Sequence, residues 1–103
     1  PPYTHMAFLL SNSTNRNHAH DFLIKLKEFL DGKLENYPNV TISPVLSDKM
    51  EKRQNRFHFH ILITSASRQQ LADFLKLTQD AVSQTALKGN IRFAVEVDPQ
   101  TMY

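Results

Sequence analysis

The stretch Arg56-Phe57-His58-Phe59-His60-Ile61-Leu62-Ile63-Thr64 decides the fold. Phe57, Phe59, Ile61 and Ile63 alternate with His58, His60 and Leu62, the two-residue period of a strand with one buried face. Four large apolar side chains on one face need a cover, and the flanking segments supply two. Downstream, Ser67 is placed to cap a helix, with Gln70 completing a capping box. Leu71, Phe74, Leu75, Thr78, Val82 and Thr85 then form a helical stripe. Upstream, residues 17–34 place Phe22, Leu23, Leu26, Phe29, Leu30 and Leu34 at helical spacing, with Lys25, Lys27 and Glu28 opposite. Gly32 weakens that helix's last turn, and Pro38 forbids its continuation.

Three further strands complete the pattern. Residues 3–10 are apolar-rich, and the polar run Ser11-Asn12-Ser13-Thr14-Asn15 is read as their stop. Residues 40–46 read as a strand that Pro44 restricts to a sheet edge or a bulge. Residues 47–55 read as a loop or hairpin tip. After Gly89-Asn90, Ile91, Phe93, Val95 and Val97 alternate in a last strand ended by Asp98-Pro99. The order is β-α-β-β-α-β. Each helix has one apolar stripe to bury, so the expected architecture is α+β: a single antiparallel sheet with both helices on one face, ferredoxin-like. Fold alone does not settle function.

The 103 residues support one domain and one core. At 41% apolar and 21% charged, the chain has ordinary globular composition. Its longest apolar run, residues 6–10, is far too short to span a membrane, and no signal peptide is evident. With no cysteine, disulfides, thiolate nucleophiles and cysteine-based zinc sites are excluded, which fits a reducing compartment. The start Pro1-Pro2-Tyr3, lacking Met, reads as a processed product or a fragment of a longer chain.

The net charge of +2 hides an uneven distribution. Residues 49–68 hold five cations (Lys49, Lys52, Arg53, Arg56, Arg68) against the single acid Glu51, while the other segments are net acidic. Such clustering, on one hairpin and an adjacent helix start, is a candidate phosphate footprint; a hairpin tip solvated by Lys and Arg is the simpler alternative. Arg68 also opens a capped helix, where free N–H groups and the dipole favour an anion. An exposed arginine with no such role is the alternative there.

His58 and His60 leave the strand on the same face. This His-hydrophobic-His pattern is the one by which HUH single-strand endonucleases hold a divalent metal. Those enzymes also need a third ligand and a tyrosine nucleophile on a helix facing the metal. Tyr3, Tyr37 and Tyr103 all lie outside the second helix. His18 and His20, two apart at a helix start, point in different directions and read as solvated. Phe57 and Phe59 are similar to the stacking aromatics of an RNA-recognition motif, but they share the face of Ile61 and Ile63, and core packing is the better reading. No catalytic triad, paired-carboxylate pattern or phosphate loop is evident, and two glycines are too few for the latter.

Several strings, in order along the whole chain, resemble one family, the C-terminal domain of the PriA primosomal replication-restart helicases. They are Pro1-Pro2-Tyr3 with Met6-Ala7-Phe8, then Ser43-Pro44-Val45, Arg56 to Ile63, Ser67-Arg68 with Leu71, and Val97-Asp98-Pro99-Gln100. Departures are Glu96 for an aspartate, Phe93 for a tryptophan, Ser43 for the turn glycine, and no second proline around residues 47–49. The resemblance implies a non-catalytic module closing a bacterial, cytoplasmic, nucleoid-associated DNA helicase, with a fold like that of a small-subunit ribosomal protein. It implies contact with branched and single-stranded DNA, for which Lys49, Lys52, Arg53 and Arg56 are the candidates here. It implies docking of the acidic tail of single-stranded DNA-binding protein, with Arg68 at the family position, and partnership with other primosome proteins. A polar family position one turn later is Ala72 in this chain. No cofactor, metal or membrane contact is expected for the chain itself; ATP, magnesium and zinc are expected in the full-length protein. A structural brace for the helicase lobes is the competing expectation.

Overall fold

The computed structural model describes residues 4–53, 55–87 and 90–99, and only the backbone of 49–53. Its elements are β1 (His5–Ser13), α1 (Arg16–Asp31), β2 (Val40–Ile42), β3 (Leu46–Arg53), β4 (Arg56–Ser65), α2 (Arg68–Ser83) and β5 (Arg92–Val97). A single 3₁₀ turn, Leu34–Asn36, follows α1. The strands form one antiparallel sheet in the order β2-β4-β1-β5, with β3 also on β4.

The residue alternation read from β4 holds. Phe59, Ile61 and Ile63 are buried with Ala7 and Leu9 of β1, Leu23, Leu26 and Leu30 of α1, and Leu71, Phe74 and Leu75 of α2. Phe57 packs at the margin of the same cluster. Both helices therefore cover one face, and Met6, Phe8, Leu10, His58, His60 and Leu62 belong to the other.

Two strand readings are corrected. Residues 11–13 continue β1 instead of ending it, because each polar side chain finds a partner. Buried Ser11 donates its Oγ hydrogen to the Ala19 carbonyl at 3.2 Å. Ser13 Oγ accepts the Asn15 N–H at 3.1 Å, and Asn12 accepts from Arg56. Residues 46–53, mostly read as a loop, form β3. A strand pairing answers the backbone polar groups of β4, whatever the side-chain pattern. Asn55 adopts a left-handed φ of 64° before β4, a conformation asparagine tolerates better than most residues.

Pro44 separates β2 from β3, as its missing N–H requires. Ser43 bridges the break: its Oγ accepts the Leu62 N–H at 2.8 Å, and its own N–H donates to the Leu62 carbonyl at 2.9 Å. Serine in place of the family's turn glycine thus has a local use.

The helix stripes are narrower than read. Phe29 is 41% exposed and Thr85 is exposed beyond the end of α2, while Ala19 is buried. Leu34 lies past the end of α1. Only side chains along one line of each helix reach a flat sheet, so Ala19, Leu23, Leu26 and Leu30 suffice.

The caps are side-chain made. Asn15 accepts the His18 N–H at 3.2 Å, and Ser67 Oγ accepts the Gln70 N–H at 3.1 Å. The other half of the expected capping box is rewired. Gln70 Oε1 accepts from Asn39 N–H, while Ser67 N–H donates to Ser65 Oγ. Replacing Ser67 with alanine is expected to cost about 1 kcal/mol in chemical denaturation, with Asn15→Ala similar. A change under a few tenths would show that the cap contributes little.

Candidate nucleic-acid interface

The chain direction decides which cations meet. In the β1 registers, Ser13 lies opposite Phe57 and Asn12 opposite Arg92, so the end of β1 meets the starts of β4 and β5. The helix α1 begins three residues after Ser13, and Lys52 and Arg53 of β3 pair with Phe57 and Arg56. Arg16, Arg56 and Arg92 therefore share one end of the sheet with the β3 backbone positions of Lys52 and Arg53. The side chains of Lys49, Lys52 and Arg53 lie outside the described residues.

Arg56 is held in place. Its Nε donates to Asn12 Oδ1, and its Nη2 donates to the carbonyls of Asn12 and Asn90. Partial burial, and then the neighbouring Arg92 cation, push this guanidinium below its ordinary value. Two like charges are thus held within each other's field, an arrangement that an incoming anion relieves. Arg16 sits with its guanidinium carbon 5.1 Å from the Phe59 ring centroid, a cation–π contact at the start of α1. His20, read as solvated, instead meets the edge of Phe59, with centroids 5.4 Å apart, and lies beside Asp21.

Arg68 stands elsewhere. It opens α2 directly after the far end of β4, nine strand steps from Arg56 to Ser65, or roughly 30 Å. The run 49–68 therefore falls in two places and not one: a basic end of the sheet and an exposed arginine at a capped helix N-terminus. Arg16 and Arg92 were missed because they are isolated in sequence. The outward parity of Arg92, Ala94 and Glu96 in the last strand is the signal that, combined with the strand order, finds Arg92.

The paired histidines lie on the sheet face away from the helices. His60 Nδ1 is 2.8 Å from Asp48 Oδ1 of β3, and its ring meets the edge of Phe8 at 5.9 Å. Both described helices cover the opposite face, Tyr37 packs on Phe74 instead, and Tyr3 and Tyr103 lie outside the described residues. Among the described residues, no group of three or more His, Asp or Glu side chains converges as a metal requires. Among the same residues, no helix is long and apolar enough to cross a membrane.

The strand order and the shared helix face define a ferredoxin-like α+β domain. The same fold occurs in a dimeric ferredoxin-like protein from an uncultured marine organism, with a TM-score of 0.67 at 10% identity over 92% of each chain. A designed protein, Foldit4, matches at TM-score 0.62 and 10% identity, over 93% of this chain and 97% of its own. A second design with a ferredoxin fold, LFR1 1, matches at 0.58 and 13%, over 93% and 87%. At such identities the likeness is one of fold alone. No curated protein sequence matches the chain. Residues 1–100, however, match the primosomal protein N C-terminal domain family, and the chain belongs to that family, that of the PriA C-terminal domains. It is accordingly a domain of the primosome, the replication-restart machinery.

Proposed function

We propose that this chain is the non-catalytic terminal domain of a replication-restart helicase. It contacts branched or single-stranded DNA through the basic end of its sheet and docks the acidic tail of single-stranded DNA-binding protein at Arg68. The observation that carries this reading is the gathering of Arg16, Arg56 and Arg92 with the strand positions of Lys52 and Arg53. A phosphate backbone is the ligand whose repeated charge matches several cations at one end of a domain. Arg68, on its exposed helix start, offers a separate receptor for a carboxylate-rich peptide.

ATP, magnesium and zinc belong to the rest of such an enzyme. With no cysteine this chain cannot supply a cysteine zinc site, and its two glycines are too few for a phosphate-binding loop.

Two titrations test the reading. Binding of branched and single-stranded oligonucleotides is expected to weaken steeply as salt rises from about 50 to 200 mM. No binding at low salt would leave the brace for the helicase lobes as the better account. A peptide with acidic side chains and a free C-terminal carboxylate is expected to bind Arg68→Ala about tenfold or more weakly than wild type, as loss of a charge-assisted hydrogen bond implies. Equal affinity would remove Arg68 from docking.

A further inference from the structure

The open face of the sheet has a composition that the basic end alone does not explain. Its two central strands present Phe8 and Leu10 from β1 and His58, His60 and Leu62 from β4, with Phe8 opposite Leu62 and Leu10 opposite His60. All five are half-buried, so each shows part of its surface on this face. The Phe8 and His60 rings, on neighbouring strands, meet edge to face with 5.9 Å between centroids and planes 70° apart, so a base can lie flat on one of them but not on both. At the β5 edge, Arg92 is exposed opposite Asn12, and Arg56 borders the same end. Planar rings in the middle of a sheet, interleaved with polar groups and led by guanidinium groups at one end, match one ligand class. Unpaired bases offer π faces to the rings, and their phosphates offer charge to the arginines.

We propose that this open face is a stacking platform for single-stranded nucleic acid, with the Phe8 ring beneath a base, His60 flanking it edge-on, and Arg56 and Arg92 receiving the backbone. The proposal rests on the DNA-binding reading and adds the residues that distinguish an unpaired strand from a duplex. The stacking residues are the opposite set from Phe57 and Phe59, which point beneath the helices. A duplex, whose bases are already stacked, has no faces to give to Phe8. It engages the basic end only.

The test uses the 103-residue chain with three fluorescent probes: a single-stranded oligonucleotide, the same strand with abasic sites, and a duplex. Phe8→Leu keeps an apolar side chain without a π face, whereas Phe8→Trp keeps the π face; circular dichroism and thermal melting confirm that both fold. Phe8→Leu is expected to lose about 5- to 150-fold in single-strand affinity, the range for one stacked base, with duplex affinity unchanged and Phe8→Trp near wild type. Wild type is expected to bind the abasic strand more weakly than the intact one. Equal binding of intact and abasic strands, or no loss in Phe8→Leu, overturns the platform while leaving the phosphate reading standing. Failure of wild type to bind any of the three overturns both. A concentration-dependent dimer that Phe8→Leu abolishes also overturns it, by assigning the face to a second copy of the chain.

Discussion

Replacing Lys52 and Arg53 together with alanine is expected to weaken DNA binding on every sequence alike and to flatten its salt dependence. Each cation that neutralises a phosphate releases condensed counterions, so the slope of log affinity against log salt falls by about 0.9 per contact on duplex and about 0.7 on single strands. Losing both cations should lower the slope by roughly 1.4 to 1.8 units. Their strand positions pair with Phe57 and Arg56 at the end of the sheet that also holds Arg16 and Arg92, so the loss subtracts from a group and not from a lone charge.

Arg68→Ala is the internal control. It lies roughly 30 Å away along β4, several times the ~10 Å Debye length at 0.1 M salt, and should leave the slope unchanged. An unchanged slope in the double variant would move the interface off the hairpin. A reduced slope in Arg68→Ala would show that DNA reaches both ends of the domain.

Phe74→Ala is expected to be the most damaging single truncation in the core, costing about 3–5 kcal/mol. The Phe74 side chain is fully buried, meets Tyr37 edge-to-face at 5.1 Å, and belongs to the cluster joining both helices to the sheet. Removing it opens a cavity that a close-packed neighbourhood fills only in part. Because domains of this size are held by only about 5–15 kcal/mol, the urea midpoint should fall sharply. Phe29→Ala, truncating a side chain that is 41% exposed and lies beneath the Lys33 ammonium, should cost less than about 1 kcal/mol. Comparable losses for the two would contradict the narrow stripe on α1.

The legible parts of the fold were those with strong local periodicity. The alternation of Phe59, Ile61 and Ile63, and the spacing of Leu71, Phe74, Leu75 and Thr78, both survive in the structure. The misread parts were decided by partners distant in sequence. Ser11 and Ser13 look like a stop signal until Ala19 and Asn15 supply their hydrogen bonds. The strand from Leu46 to Arg53 has little apolar alternation, and β4 recruits it through backbone pairing. In the candidate site, Arg56 and Arg68 were visible as charges in one segment, but their separation was not.

By itself the sequence determined the class of fold, the pair of helices over one face, the family resemblance and the excess of cations in residues 49–68. The resemblance rests on ordered local strings, and the others follow from side-chain period, local capping and composition, none of which needs knowledge of distant partners. Only the tertiary structure decided which cations stand together. A strand carries its two ends apart at about 3.3 Å per residue, and an antiparallel sheet returns other chain segments to each end. That geometry removes Arg68 from the hairpin cluster, brings Arg16 and Arg92 into it, and turns Phe8 and His60 onto the same open face.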